Sequence, residues 1–120
     1  LGQYTAAVVV ADRWYQHAQK TITYSLSFIP IEVIARLQID LNDQQQLLEF
    51  LEHTSYEESH HFYRSCTYST SGNFTAKNYK LSSQDSFLLV FENIYDQDHQ
   101  LLMTNKHYIP CDLFKIDLYI

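Results

Sequence analysis

Leu113-Phe114-Lys115-Ile116-Asp117-Leu118-Tyr119-Ile120 is the stretch that sets the fold expectation for this chain. Phe114, Ile116, Leu118 and Ile120 fall on one side of an extended backbone, and Lys115, Asp117 and Tyr119 on the other. A hydrophobic period of two belongs to a strand with one buried and one wet face. The same alternation recurs further back. Ile22, Tyr24, Leu26 and Phe28 alternate with Thr21, Thr23, Ser25 and Ser27. Val33, Ala35, Leu37, Ile39 and Leu41 alternate with Ile34, Arg36, Gln38 and Asp40. Pro30 lies between these two runs, where a turn tolerates its missing N–H. Phe62, Cys66 and Tyr68 share a face with Arg64 between them, and residues 74–81 read as a returning strand. Phe87-Leu88-Leu89-Val90-Phe91 is apolar throughout, as expected of a central strand. Residues 101–108 form one more strand, which Pro110 ends.

Two segments read less simply. Residues 4–11 fit a strand, with a helix as the competing reading because alanine is a good helix former. Asn42 and Asp43 are helix-cap residues. The segment that follows, with Leu47, Leu48, Phe50 and Leu51, fits either a short helix or a doubly buried strand. Seven or eight short strands about ten residues apart predict an all-β antiparallel sandwich with at most one or two short helices. The alternative is an α+β fold, with residues 4–20 and 43–61 as helices on an antiparallel sheet. Folds of that kind often enclose a small-ligand pocket.

Composition narrows the functional classes. A chain of 120 residues is read as a single domain, residues 1–120, able to bury a core of its own. Aromatic residues make up 15% of it, mostly tyrosine, which suits half-buried pleated surfaces. The net charge of −6 and the scattered lysines and arginines argue against nucleic acid and anionic membranes. No apolar run reaches the roughly 18 residues of a transmembrane segment. Leu1 in place of a methionine suggests a processed form or an expressed fragment. Cys66 and Cys111, an even count, fit one disulfide worth about 4 kcal/mol, with two free thiols as the other reading. Asn73-Phe74-Thr75 is a glycosylation sequon, a signal that short chains carry by chance.

Over residues 47–120 the order of features resembles the GOLD-type β-sandwich of the emp24 family of lumenal cargo proteins. Leu48-Glu49-Phe50-Leu51 stands as an aromatic-centred strand, followed by a polar segment around Tyr56. Gly72-Asn73-Phe74-Thr75 resembles that family's G-x-F-x strand, and Asp85-Ser86-Phe87-Leu88-Leu89-Val90-Phe91-Glu92-Asn93 its G-x-Y-x-L-x-F-x-N strand. Departures are the Asp85-Ser86 pair where a glycine is expected, the lack of a lysine segment after Asn93, and the cysteine positions. The resemblance implies a protein- or lipid-binding module and transfers no catalytic residue.

Candidate chemistry is sparse. Glu57, His60 and His61 would share a helix face at i, i+3 and i, i+4, a spacing that suits metal ligands. No second Glu-x-x-His and no His pair four apart supports them, so a solvated loop is the plainer reading. Asp96-Gln97-Asp98-His99 offers oxygen ligands on a loop without the rest of a calcium site. With only Gly2 and Gly72, the chain has no phosphate-cradling loop, and no cofactor is implied. Trp14 and Tyr15 are the residue types of binding hot spots, and equally of core anchors. The reading that results is a non-enzymatic protein–protein interaction module in a lumenal, periplasmic or extracellular setting. The alternatives are a metal-binding protein or metal enzyme using Glu57, His60 and His61, and an α+β small-ligand-binding domain.

Overall fold

The computed structural model describes residues 5–69 and 87–111. The expected strands at 74–81 and 113–120, the latter the stretch quoted first, lie outside the described residues.

The expectation of an all-β sandwich is corrected. The described residues form one five-stranded antiparallel sheet with helices, an α+β fold. The strands are β1 (Val8–His17), β2 (Lys20–Pro30), β3 (His61–Ser69), β4 (Phe87–Tyr95) and β5 (Leu101–Pro110), in the order β1-β2-β5-β4-β3. Ala18 and Gln19, both at positive φ, make the two-residue turn that joins β1 to β2. Positive φ at both positions is what lets a tight turn follow the right-handed twist of its strands. Of the alternative fold, the second helix is present and the first is not: residues 8–17 are strand.

Residues 33–41, read from their alternation as a strand, begin instead as helix α1 (Ile31–Arg36). The reason lies in a second pattern in the same letters. Val33, Ile34 and Leu37 are spaced for one side of a helix, and all three pack into the core. Pro30 ends β2 in an extended conformation and leads straight into α1, and Gln38 at positive φ follows its end. Helix α2 (Gln44–Glu49) opens on Asp43, whose carboxylate accepts from the backbone N–H groups of Gln45 at 3.0 Å and Gln46 at 3.3 Å. It runs on through a π-helical turn (Phe50–Thr54) into the short α3 (Ser55–Glu57). The wider turn faces Phe50 and Leu51 to the core, each 2% exposed. The doubly buried strand weighed for this segment is therefore not formed. No described helix is long and apolar enough to cross a membrane.

The helices cover one end of one sheet face. Ile29, Val33, Ile34, Phe50, Leu51, Ile94, Leu102 and Met103 form the core there. Leu102 and Met103 are neighbours in sequence and would normally face opposite ways. A bulge, in which Ile94 pairs with Met103 and Tyr95 with Leu101, lets both join the same cluster. On the other face Trp14, Tyr24, Tyr108, Leu26, Leu89 and Phe87 pack together, with the Trp14 and Tyr24 rings 4.3 Å apart.

The disulfide expectation is also corrected: Cys66 and Cys111 are free thiols. Cys66 lies on β3 opposite Val90, whereas Cys111 follows the end of β5, where Pro110 pairs with Phe87. Strand β4 lies between them. Two strand spacings come to about 10 Å, beyond the roughly 7 Å that a disulfide spans between Cα atoms.

Candidate functional site

Beyond the core, the helix-covered face of the sheet turns polar. The register places Ala11, Ser27, Asn105, Glu92 and Arg64 in one row across all five strands. The adjacent row is Arg13, Ser25, His107, Val90 and Cys66. Residues paired across antiparallel strands face the same way, so one side-chain network can span the sheet.

That network is continuous. Arg13 Nη2 donates to Ser27 Oγ at 2.8 Å, and Ser27 Oγ donates to Asn105 Oδ1. Asn105 Nδ2 donates to Glu92 Oε1 at 2.9 Å, and Arg64 Nε donates to Glu92 Oε2 at 2.9 Å. Ser25, Ser27, Asn105 and Glu92 are each at most 2% exposed. Buried polar groups of this kind are tolerable because each has a partner.

Glu92 is the centre. It also accepts from Tyr56 Oη at 2.6 Å and His107 Nε2 at 3.0 Å. Burial alone would raise its pKa, but hydrogen bonds from His107, Tyr56, Asn105 and Arg64 outweigh burial and hold the carboxyl well below the usual glutamate range. An ionised carboxylate only accepts, so His107 carries its proton on Nε2, and in the neutral ring Nδ1 accepts from Ser25 Oγ at 2.7 Å.

Two tyrosines tie the helical segment to the sheet in opposite senses. Tyr56, from α3, reaches down to Glu92. Tyr15, from β1, reaches up to Glu52 Oε2 at 2.6 Å and accepts from Arg13 Nη1 at 3.1 Å. Burial, then the bond to Glu52, raises the Tyr15 pKa. Between sheet and helix lies a cleft of about 700 Å³. Its floor includes Arg13, Thr23, Ser25, Glu92, His107 and Arg64; Leu51, Glu52, His53 and Tyr56 form the helical wall. A second bulge places Ile22 between the Tyr15–Thr23 and Gln16–Thr21 pairs, and both Ile22 and Thr23 line the cleft.

Ser25, His107 and Glu92 have the connectivity of a hydrolytic triad. The environment does not fit that chemistry. Ser25 is 1% exposed and sits mid-strand between β1 and β5, so it presents neither an attacking hydroxyl nor a free oxyanion donor. The arrangement instead offers fixed donors and acceptors beside the apolar side chains of Ile22, Val90 and Ile109, the usual make-up of a small-molecule site.

The sequence-derived candidates are dispersed. Tyr15 lines the cleft, while Trp14 faces the opposite side of the sheet against Tyr24. Glu57 and His60 border a separate polar cavity of about 250 Å³ with Arg36, Asp96 and Asp98. His61 stacks on Tyr95, ring centroids 4.9 Å apart. Among the described residues no three His, Cys, Asp or Glu side chains converge to hold a metal. The reading of the sequence missed Arg13, Ser25, Arg64, Glu92, Asn105 and His107. The available signal was Glu92 itself, a lone charge inside the most apolar strand.

No protein-family model and no curated protein sequence matches the chain. Solved structures do. A GntR-family transcriptional regulator from Enterococcus faecalis superposes with a TM-score of 0.72 at 11% identity, over 94% of this chain and 81% of that one. The effector binding domain of the Bacillus subtilis trehalose repressor gives 0.67 at 10% identity, over 94% and 78%. A GntR-family regulator from Bacillus cereus gives 0.70 at 12%, over 94% and 78%. The chain shares their fold. The GOLD-type resemblance is thereby corrected: it rested on layout, and its first strand, Leu48-Glu49-Phe50-Leu51, is helical. The protein–protein interaction reading is corrected together with the sandwich that motivated it, since the described residues form a five-stranded antiparallel sheet with helices and share the fold of these neighbours.

Proposed function

We propose that this chain is a small-ligand-binding domain of the type that serves as the sensing part of a transcription regulator. The observation that carries the reading is the cleft of about 700 Å³ between sheet and helix, with the Glu92 network as its floor. A five-strand hydrogen-bond chain is costly to assemble and poor at stabilising by comparison with apolar packing. It makes sense where fixed polar groups must meet a ligand. The fold of the neighbours supports the same role, since one of them is an effector binding domain. With a net charge of −6 the chain is suited to sensing and not to holding DNA.

The test is a ligand screen by amide chemical-shift mapping against a panel of small metabolites. Saturable shifts should cluster on β2, β4, β5 and the π-helical turn, and Val90→Trp, which fills the cleft, should abolish them. Ligands whose shifts fall only on the Trp14 face, or that bind Val90→Trp unchanged, would refute the assignment.

A further inference from the structure

We infer that the cleft takes an organic monoanion, with its oxyanion on Arg13 and an apolar body lying along the sheet. This rests on the small-ligand reading and names the ligand class. The chain has three arginines. Arg36 pairs with Asp96 at 3.3 Å and Arg64 with Glu92 at 2.9 Å. Arg13 meets no carboxylate among the described residues. Its two bonds go to hydroxyls, Tyr15 Oη and Ser27 Oγ, and its Nε is buried without a hydrogen-bond partner.

A guanidinium carries five N–H donors in a planar fork that matches carboxylate and phosphate oxygens. Held at the cleft with N–H donors to spare and no carboxylate in direct contact among the described residues, it is the group that a ligand oxyanion would complete. The other charges leave that role to Arg13. Glu92 already balances Arg64. Glu52 connects to Arg13 only through the Tyr15 hydroxyl, and its own charge disfavours a second negative charge on the ligand.

The rest of the lining sets the body. Ile22, Val90 and Ile109 from the sheet and Leu51 from the helical segment border the cleft, so part of its lining is aliphatic. Arg13 and Val90 belong to one row, on β1 and β4, three strand spacings apart. That distance is about 14 Å, room for an acid head and a ring or short chain.

The experiment titrates four probes with one phenylalkyl body and different heads: the monoanions 4-phenylbutyrate and 3-phenylpropane-1-sulfonate, the neutral 4-phenylbutanamide and the cationic 4-phenylbutylamine. Amide shifts and calorimetry are read on the wild type, R13Q and R13K. At least one anion should bind about tenfold or more tighter than the amide, a difference of about 1.4 kcal/mol. Preference for the butyrate or for the sulfonate tells a planar carboxylate from a tetrahedral oxyanion. R13Q should erase the preference and R13K should keep part of it. An amide that binds as well as both anions to the wild type overturns the inference without any variant, as does a preference that survives in a folded R13Q. Neutral or cationic probes that alone shift cleft amides overturn the anion site and leave the small-ligand reading standing. Four silent probes count against both.

Discussion

Along the helix-covered face, three neighbouring strands change chemistry within two residues. Ile29 gives way to Ser27 on β2, Met103 to Asn105 on β5, and Ile94 to Glu92 on β4. Exposure hardly changes, from 0% for Ile29, Met103 and Ile94 to at most 2% for the polar three. Burial alone therefore does not distinguish the two ends. At the apolar end, packing on α1 and the π-helical turn is the source of stability. At the polar end, each group must be matched by another or burial becomes unfavourable. The difference teaches where function sits: the apolar end holds the fold, and the polar end is stable only as a complete network.

The two ends should respond differently to substitution. Phe50→Ala empties the centre of the apolar cluster and should cost about 3–5 kcal/mol in urea unfolding, with little dependence on pH above 5. Glu92→Gln should cost about 2–3 kcal/mol, because it removes the charge from four hydrogen bonds while leaving the shape. It should also change the acid limb. The folded carboxyl titrates below its ordinary value of 4.5. Its stabilisation is therefore complete above that value and is lost as the pH falls below it toward the folded one. Wild-type stability should fall more steeply below pH 4.5 than that of Glu92→Gln. Parallel acid limbs in the two proteins would remove Glu92 from the centre of the network.

The comparison also explains what the sequence made legible. The strands around residues 22–28, 87–91 and 101–108 stand out because alternation or a β-rich apolar run leaves little else for them to be. Asp43 was readable as a cap because capping is local. Residues 33–41 were ambiguous, since Val33, Ile34 and Leu37 satisfy a helix while Val33, Ala35 and Leu37 satisfy a strand. Tertiary packing on Ile29 and Phe50 decided between them. The polar network was hidden for a related reason. Ser25 and Ser27 sit at alternate positions beside Tyr24, Leu26 and Phe28, where polar residues usually face water. What buries Ser27 favourably is Asn105, 78 residues away. No local pattern encodes that partner, whereas Glu92 announced itself as a charge in an apolar strand.

The smallest effect separates the two tyrosine ties from the network itself. Tyr56 is 37% exposed, so its hydroxyl bond to Glu92 is partly screened. Tyr56→Phe should cost about 1 kcal/mol, less than Glu92→Gln, and Glu92 keeps its three other donors. If the two residues act through one bond, the double variant should be about as stable as Glu92→Gln alone, with a coupling energy of order 1 kcal/mol. Fully additive losses would mean that Tyr56 supports the helix by packing and not through the carboxylate. The helical wall of the cleft would then be free to move without disturbing the floor. Hydrogen exchange should report the same distinction. A true tie makes amides of the π-helical turn exchange faster in Tyr56→Phe, while those of β4 and β5 keep their protection.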